Sequence, residues 1–204
     1  MNSLIKYFPK SKKIPIDKFI FNALYNKEYG YYSKRIPFGK DGDFITSSGI
    51  TPLFSELIAL WTISLWEHMG KPKIFNIIEL GPGNGQMCKT LLRVFNKFPI
   101  FFNSINIFLY EKSKTLEDLQ KKNLNDKKIK WIKNFNKIKK GPVIFLGNEF
   151  FDSIPIKQFK KIKKTLYEQY VELENNLVLK TFLKKADSKI KIDLKKYNLL
   201  KNQS

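Results

Sequence analysis

The segment Glu79-Leu80-Gly81-Pro82-Gly83-Asn84-Gly85 carries the first chemical signal. Glycines at alternate positions let the backbone turn sharply and approach a ligand with no Cβ in the way. The G-x-G-x-G spacing is one residue shorter than the G-x-G-x-x-G dinucleotide fingerprint, whose pyrophosphate rests on a helix N-terminus. A cofactor without phosphates suits it better. Glu79 adds a carboxylate just before the loop, able to meet an amino-bearing ligand, which fits the methionine part of S-adenosylmethionine. The expected cofactor-binding residues are therefore Glu79, Gly81, Pro82, Gly83 and Gly85. A plain structural turn is the alternative reading.

Two further positions could do chemistry. Glu111 follows the apolar run Ile105 to Tyr110, and a carboxylate at a strand end can accept both hydroxyls of a ribose. A solvated strand-end side chain is its bland counterpart. Farther on, Asn148-Glu149-Phe150-Phe151-Asp152-Ser153-Ile154-Pro155 sets an amide, two carboxylates and two aromatics after another apolar run. Carboxylates beside buried aromatics carry a desolvation cost unless they are paired or functional. They suit a guanidinium, which they can hold bidentately while helping the attacking nitrogen present its lone pair. Glu149 is the first catalytic candidate, with Asp152 and Asn148 beside it; an N-cap is the structural alternative for Asp152.

The elements that must position these groups follow from periodicity. Pro52 to Met69 has Leu53, Leu57, Leu60, Ile63 and Leu65 at three- and four-residue spacings, then Gly70 and Pro72 as stops, so it predicts a helix packed on a sheet. Ile74 to Leu80 predicts a buried parallel strand, followed by the glycine loop and a helix from Gln86 to Phe95. Ile105 to Tyr110 and a polar helix over Thr115 to Lys122 complete a β-α-β unit. Pro142 to Leu146 predicts another strand. In an open parallel sheet ligands bind outside the carboxyl ends of the strands, where all three chemical segments fall. Thr165 to Leu173 and Leu177 to Phe182, alternating around Asn175-Asn176, predict a β-hairpin. The Lys-rich stretch from Lys184 to Ser204 is weakly patterned and expected to fray.

The fold class expected is α/β: a Rossmann-like, mostly parallel sheet with an N-terminal helical and loop cap and a C-terminal hairpin. The domains expected are a cap over 1–50, a cofactor-binding core over 51–164, and the hairpin with its tail over 165–204. The chain of 204 residues is long enough for a real core. It contains no apolar run of membrane-spanning length and no secretory signal pattern, so a soluble protein is expected. Cys88, its single cysteine, excludes an internal disulfide and fits a reducing cytoplasm. The net charge of +20 invites a nucleic-acid reading, but all of the 38 basic residues except Arg35 and Arg93 are lysine. Base readers favour the bidentate arginine fork, so no specific nucleic-acid partner is expected. His68 is expected at a helix end on the surface, Cys88, Trp61 and Trp66 in packing roles, and no Cys/His cluster suggests a metal.

Several motifs in order, Gly30-Tyr31-Tyr32, Gly42-Asp43-Phe44-Ile45-Thr46-Ser47, Phe54 with Glu56-Leu57-Ile58, the glycine loop, and Asn148 to Pro155, resemble the MidA-like family of class I methyltransferases. The resemblance runs from about Ile14 to Phe182. It implies protein-arginine methylation with S-adenosylmethionine, a protein substrate such as a respiratory complex I subunit, and a location in the bacterial cytoplasm or, in a eukaryote, the mitochondrion. It also implies that Tyr31, Tyr32, Asp43, Phe44 and Thr46 lie over the site. Members of that family are longer and carry an acidic-Tyr-Gly motif that this sequence lacks. A catalytically inactive, truncated cofactor-binding or assembly protein is therefore the alternative, and a nicotinamide-dependent oxidoreductase on the same fold is a third.

Overall fold

The computed structural model describes residues 4–34, 51–138, 140–175 and 178–197. Its chain contacts divide it into two compact units, 27–153 and 1–26 with 154–204.

The larger unit is the α/β layer that carries all three chemical segments. Its helices are α2 (Tyr31–Lys34), α3 (Pro52–His68), α4 (Gln86–Phe95), α5 (Pro99–Ser104) and α6 (Lys114–Asn123), and its strands are β2 (Phe75–Leu80), β3 (Ile105–Tyr110), β4 (Ile129–Ile132) and β5 (Val143–Leu146). The strands are all parallel, in the order β4-β3-β2-β5, with Ile77 opposite Ile107 on one side and Ile144 on the other. Strand β2 is central and covered on both faces, which is why its sequence is a run of apolar residues rather than an alternation. From β2 the chain moves outward through β3 and β4, then returns to the other side of β2 as β5. That reversal makes a crevice at the carboxyl ends of β2 and β5.

The core on one face joins Phe75, Ile77, Ile107 and Leu109 of the sheet to Ala59, Ile63 and Trp66 of α3 and Cys88, Leu91 and Phe95 of α4. Phe101, on the short helix α5, is the hub of an aromatic cluster, with ring centroids 4.9 Å from Phe95, 5.3 Å from Trp66 and 6.3 Å from Phe75. Neither α5 nor β4 is foreseen from periodicity, because both are too short to show a repeat.

Helix α3 forms where expected, capped by Thr51, whose hydroxyl accepts from the Leu53 N–H. Its buried stripe is a correction. Ser55, Ala59, Thr62, Ile63 and Trp66 face the core, while Leu53, Leu57, Leu60 and Trp61 are exposed. Small side chains let α3 approach α4 closely, and a helix apolar on both sides gives periodicity nothing to choose between. Trp66 packs as expected and donates its indole N–H to the Pro72 carbonyl at 2.9 Å; Trp61, half exposed, does not.

The smaller unit holds β1 (Lys13–Pro15), α1 (Ile16–Tyr25), β6 (Phe159–Ile162), β7 (Thr165–Glu174), β8 (Val178–Lys185) and α7 (Ser188–Lys196). The expected hairpin is β7 paired antiparallel with β8. The other edge of β7 is shared by β6 and by β1, with Ile14 opposite Val171. Pairing across such a sequence separation is invisible to local pattern, so the structure groups residues 1–26 with the C-terminal strands where the sequence suggested a single cap over 1–50. Strand β6 falls inside the span expected for the core, 51–164. Part of the expected frayed tail is helix α7, capped by Asp187, whose carboxylate accepts from the Lys189 N–H at 2.8 Å. Lys157 binds two buried acids of this unit, Glu168 at 2.6 Å and Asp17 at 3.4 Å.

Among the described residues no helix is long and apolar enough to cross a membrane, and no cluster of His, Cys, Asp and Glu could hold a metal ion.

Candidate functional site

The glycine loop links β2 to α4 and is tied down on both sides. The Gly81 N–H donates to the Tyr110 carbonyl of β3 at 3.0 Å, and the Gly85 N–H closes a turn onto the Pro82 carbonyl at 2.8 Å. Gly85 sits before α4 with φ of +82°, and a Cβ there would lie 2.8 Å from Leu124 Cδ1. At Gly81, also at positive φ, a Cβ would meet the Phe150 ring at 2.8 Å. Glycine at these two positions thus serves both the turn and a close approach. The contact of Gly81 with Phe150 also shows the loop after β2 and the loop after β5 meeting in the crevice.

Glu79 is the penultimate residue of β2 and is 4% exposed. Its carboxyl accepts a hydrogen bond from the Cys88 backbone N–H of α4, yet Oε2 is buried with no partner. Burial pushes its pKa to about 8, against that one lowering hydrogen bond, which favours the protonated form at neutral pH. An orphaned buried acceptor is costly unless something binds it. A ligand ammonium would satisfy Oε2 and restore the charge. The Cys88 thiol, buried and next to Glu79, is pushed well up by burial and the neighbouring acids; it is a core group, as expected.

Glu111, at the end of β3, is 7% exposed rather than solvated. Its Oε1 accepts from the Ser113 N–H at 2.8 Å, and its Oε2 accepts from the Gln120 side-chain amide at 3.2 Å. Burial raises its pKa, while Ser113, Gln120, the Lys112 N–H and the charge of Lys133 oppose that rise. Ser113 also caps α6 and donates its hydroxyl to the Tyr32 carbonyl at 2.9 Å, fixing α2 against the start of α6. Tyr31 and Tyr32 are half-buried, with rings edge to face at 5.2 Å. The cap candidates Asp43, Phe44 and Thr46 lie outside the described residues.

Gln120, fully buried on α6, is a residue the sequence reading missed. It donates to the Gly83 carbonyl at 2.8 Å as well as to Glu111, and accepts from the Trp131 indole N–H at 3.0 Å. A polar residue at a buried helical position is a signal in principle, but no pattern marks it before the fold is known.

The segment after β5 is arranged differently from the sequence argument. Glu149 and Asp152 are exposed, Asn148 is half-buried and Phe151 is 74% exposed; only Phe150 packs, against Gly81, Gly147 and Tyr110. The carboxylates therefore pay no desolvation cost. Glu149 has φ of +53°, an uncommon conformation for a residue with a Cβ, while Asp152 lies within a short 3-10 turn, Phe151–Ser153. His68 is exposed at the end of α3 and its Nδ1 pairs with the Ser64 carbonyl at 2.7 Å, a local role as expected.

The solved structures this fold resembles include a Burkholderia thailandensis protein crystallised with S-adenosyl-homocysteine, which superposes with a TM-score of 0.69 at 20% identity, over 91% of this chain and 49% of that one. Curated relatives include the mitochondrial protein arginine methyltransferase NDUFAF7 of Xenopus laevis, 31% identical over 201 residues and covering 87% of this chain and 46% of the relative. The human protein of the same name is 31% identical over 185 residues, 79% of this chain and 42% of the relative. The chain spans about half the length of these relatives. Residues 57–202 match the family model described as "Putative S-adenosyl-L-methionine-dependent methyltransferase". With a class I-type α/β sheet, a glycine loop at its switch point and a match over most of its length, the chain belongs to this MidA-like family of S-adenosylmethionine-dependent methyltransferases.

Proposed function

We propose that this chain binds S-adenosylmethionine at the carboxyl ends of β2 and β3 and, with its substrate at the mouth of β5, methylates a protein arginine. The observation that carries the binding half is Glu79, an entirely buried carboxyl whose Oε2 has no partner, beside a glycine loop that admits a ligand to the backbone. The residues fit the cofactor: Glu79 meets its ammonium, the loop from Gly81 to Gly85 its methionine chain, and Glu111 its ribose hydroxyls.

When bound, the cofactor supplies an electrophilic methyl group on a sulfonium. The chain's part is to place a nucleophile in line with that group. Asn148, Glu149 and Asp152 flank Phe150 in the segment after β5, with Asn148 half-buried and the two carboxylates exposed and thus open to an incoming side chain. Carboxylates there draw the guanidinium in, orient its nitrogen, and hold the proton it loses. Tyr32, whose carbonyl accepts from Ser113, and Tyr31 beside it would contribute to the cover that the family resemblance implies. The names of the curated relatives support arginine in a protein as the acceptor. A respiratory complex I subunit is the substrate that the family resemblance favours, and the mitochondrion or the bacterial cytoplasm is the compartment.

Calorimetry in buffers of different ionisation enthalpy tests the binding half. Because an ammonium restores the charge on a carboxyl with pKa of about 8, uptake of S-adenosylhomocysteine at pH 7 should release about one proton, and Glu79→Gln should bind weakly and release none. Binding with no proton release that is also undiminished in Glu79→Gln would remove Glu79 from the site. Transfer of a labelled methyl group to arginine-bearing proteins tests the second half, with Glu149→Gln expected to lower kcat about 100-fold or more while leaving cofactor affinity unchanged. Binding with no transfer to any such protein would favour a non-catalytic role.

A further inference from the structure

A ribose offers two adjacent hydroxyls, and recognising both with one carboxylate requires its two oxygens to be held side by side. In Glu111 each oxygen is held by a different donor: Oε1 by the Ser113 N–H and Oε2 by the Gln120 amide. A carboxylate has about four lone-pair directions; the Ser113 and Lys112 N–H groups and the Gln120 amide take up to three, which leaves room for a ligand hydroxyl. Gln120 is the side chain among these donors, and without it Oε2 loses the group that fixes its direction about a broad last torsion.

The orientation of the Gln120 amide is itself determined. The Trp131 indole nitrogen can only donate, so the oxygen of Gln120 must face it, 3.0 Å away. The amide NH₂ is then turned toward the site, where it donates both to Glu111 Oε2 and to the Gly83 carbonyl at 2.8 Å. The indole of β4 thus sets the amide of α6, and the amide sets both the acid after β3 and the loop after β2. Every atom of this chain of bonds lies within the unit 27–153.

We propose that Gln120 is the positioning residue for the cofactor's ribose, with Trp131 as the anchor that fixes its amide. This inference rests on the proposed binding of S-adenosylmethionine. A residue that merely filled the core would affect all ligands alike. One that positions Glu111 affects only ligands bearing the hydroxyls.

The test compares S-adenosylhomocysteine with its 2′-deoxy analogue by calorimetry on the full chain. In the wild type the deoxy compound should bind about tenfold more weakly or worse, the cost of leaving a hydrogen bond to a charged acceptor unmade. In Gln120→Met, which keeps the volume and removes both donors, that ratio should fall to about two, and in Trp131→Phe, which frees the amide, to between those values. A ratio preserved in both variants overturns the positioning role while leaving cofactor binding intact. If Gln120→Met does not fold, the ratio in Trp131→Phe decides alone. Failure of the wild type to bind S-adenosylhomocysteine at all overturns the cofactor reading and this inference with it.

Discussion

Gly85 and Gly70 together separate the backbone role of a glycine from its spatial role. Both have left-handed backbone, with φ of +82° and +77°. A Cβ added at Gly70 meets nothing within 4 Å, whereas at Gly85 it lies 2.8 Å from Leu124 Cδ1 and 3.2 Å from Leu124 Cγ. Alanine at either position incurs the left-handed penalty of about 1–2 kcal/mol, partly offset by a stiffer unfolded chain. At Gly85 there is a further cost. Leu124 is 4% exposed and built into the main core, so it cannot swing into solvent, and overpacking of this kind costs about 1–3 kcal/mol. Gly70→Ala should therefore destabilise by about 1 kcal/mol and Gly85→Ala by about 2–4 kcal/mol. Urea unfolding followed by tryptophan fluorescence reads this unit, because Trp61, Trp66 and Trp131 all lie within 27–153. Gly85→Ala should also weaken S-adenosylhomocysteine binding, and Gly70→Ala should not. In a Leu124→Ala background the added cost of Gly85→Ala should shrink to that of Gly70→Ala. Equal destabilisation by the two single substitutions, or no relief in the double variant, would refute the steric reasoning.

Three more outcomes are expected. Glu79 is an acid whose folded pKa lies above its unfolded one, so between about pH 4.5 and 8 the folded state holds more protons; the ligand-free protein should lose stability as pH rises through that window, by at most about 1.4 kcal/mol per pH unit, and Glu79→Gln should flatten the profile measured by urea unfolding. Glu117 is the opposite case, held down to about 2 by Lys121 and Lys133, so its contribution is complete above pH 4.5 and is lost as pH falls toward 2; Glu117→Gln should reduce the acid sensitivity of thermal unfolding in that range. Phe101→Ala should cost about 3–5 kcal/mol in urea unfolding, because it empties the centre of the Trp66, Phe75 and Phe95 cluster.

Much of the candidate site is legible in the sequence because its parts are local. Glu79 and the glycines occupy consecutive positions between a strand and a helix, and Glu111 closes the next strand, so strand, loop and helix order alone sends them to one edge of a parallel sheet. Gln86 to Phe95 and Ile105 to Tyr110 form with the expected bounds, since each is long enough for its period to show. Gln120 could not be read this way. Its importance comes from lying next to Gly83, Glu111 and Trp131, which are 37, 9 and 11 positions away on other elements and become adjacent only after folding. The exposed carboxylates of Glu149 and Asp152 escaped for a related reason: hydrophobic neighbours in sequence suggest burial, yet only one of the two phenylalanines turns inward.

The sequence by itself marked the glycine loop and its flanking acids as candidates and determined which secondary structure carries them, because turn chemistry and periodicity act over a few residues. The tertiary structure alone decided that residues 1–26 join the C-terminal strands, which face of α3 is buried, and that Glu79 keeps a buried Oε2 with no partner and a pKa raised to about 8. These depend on strand pairing at long separation, on how closely two helices approach, and on how much water is left around a charge. Each is a property of the assembled layers, and no short window of residues encodes it.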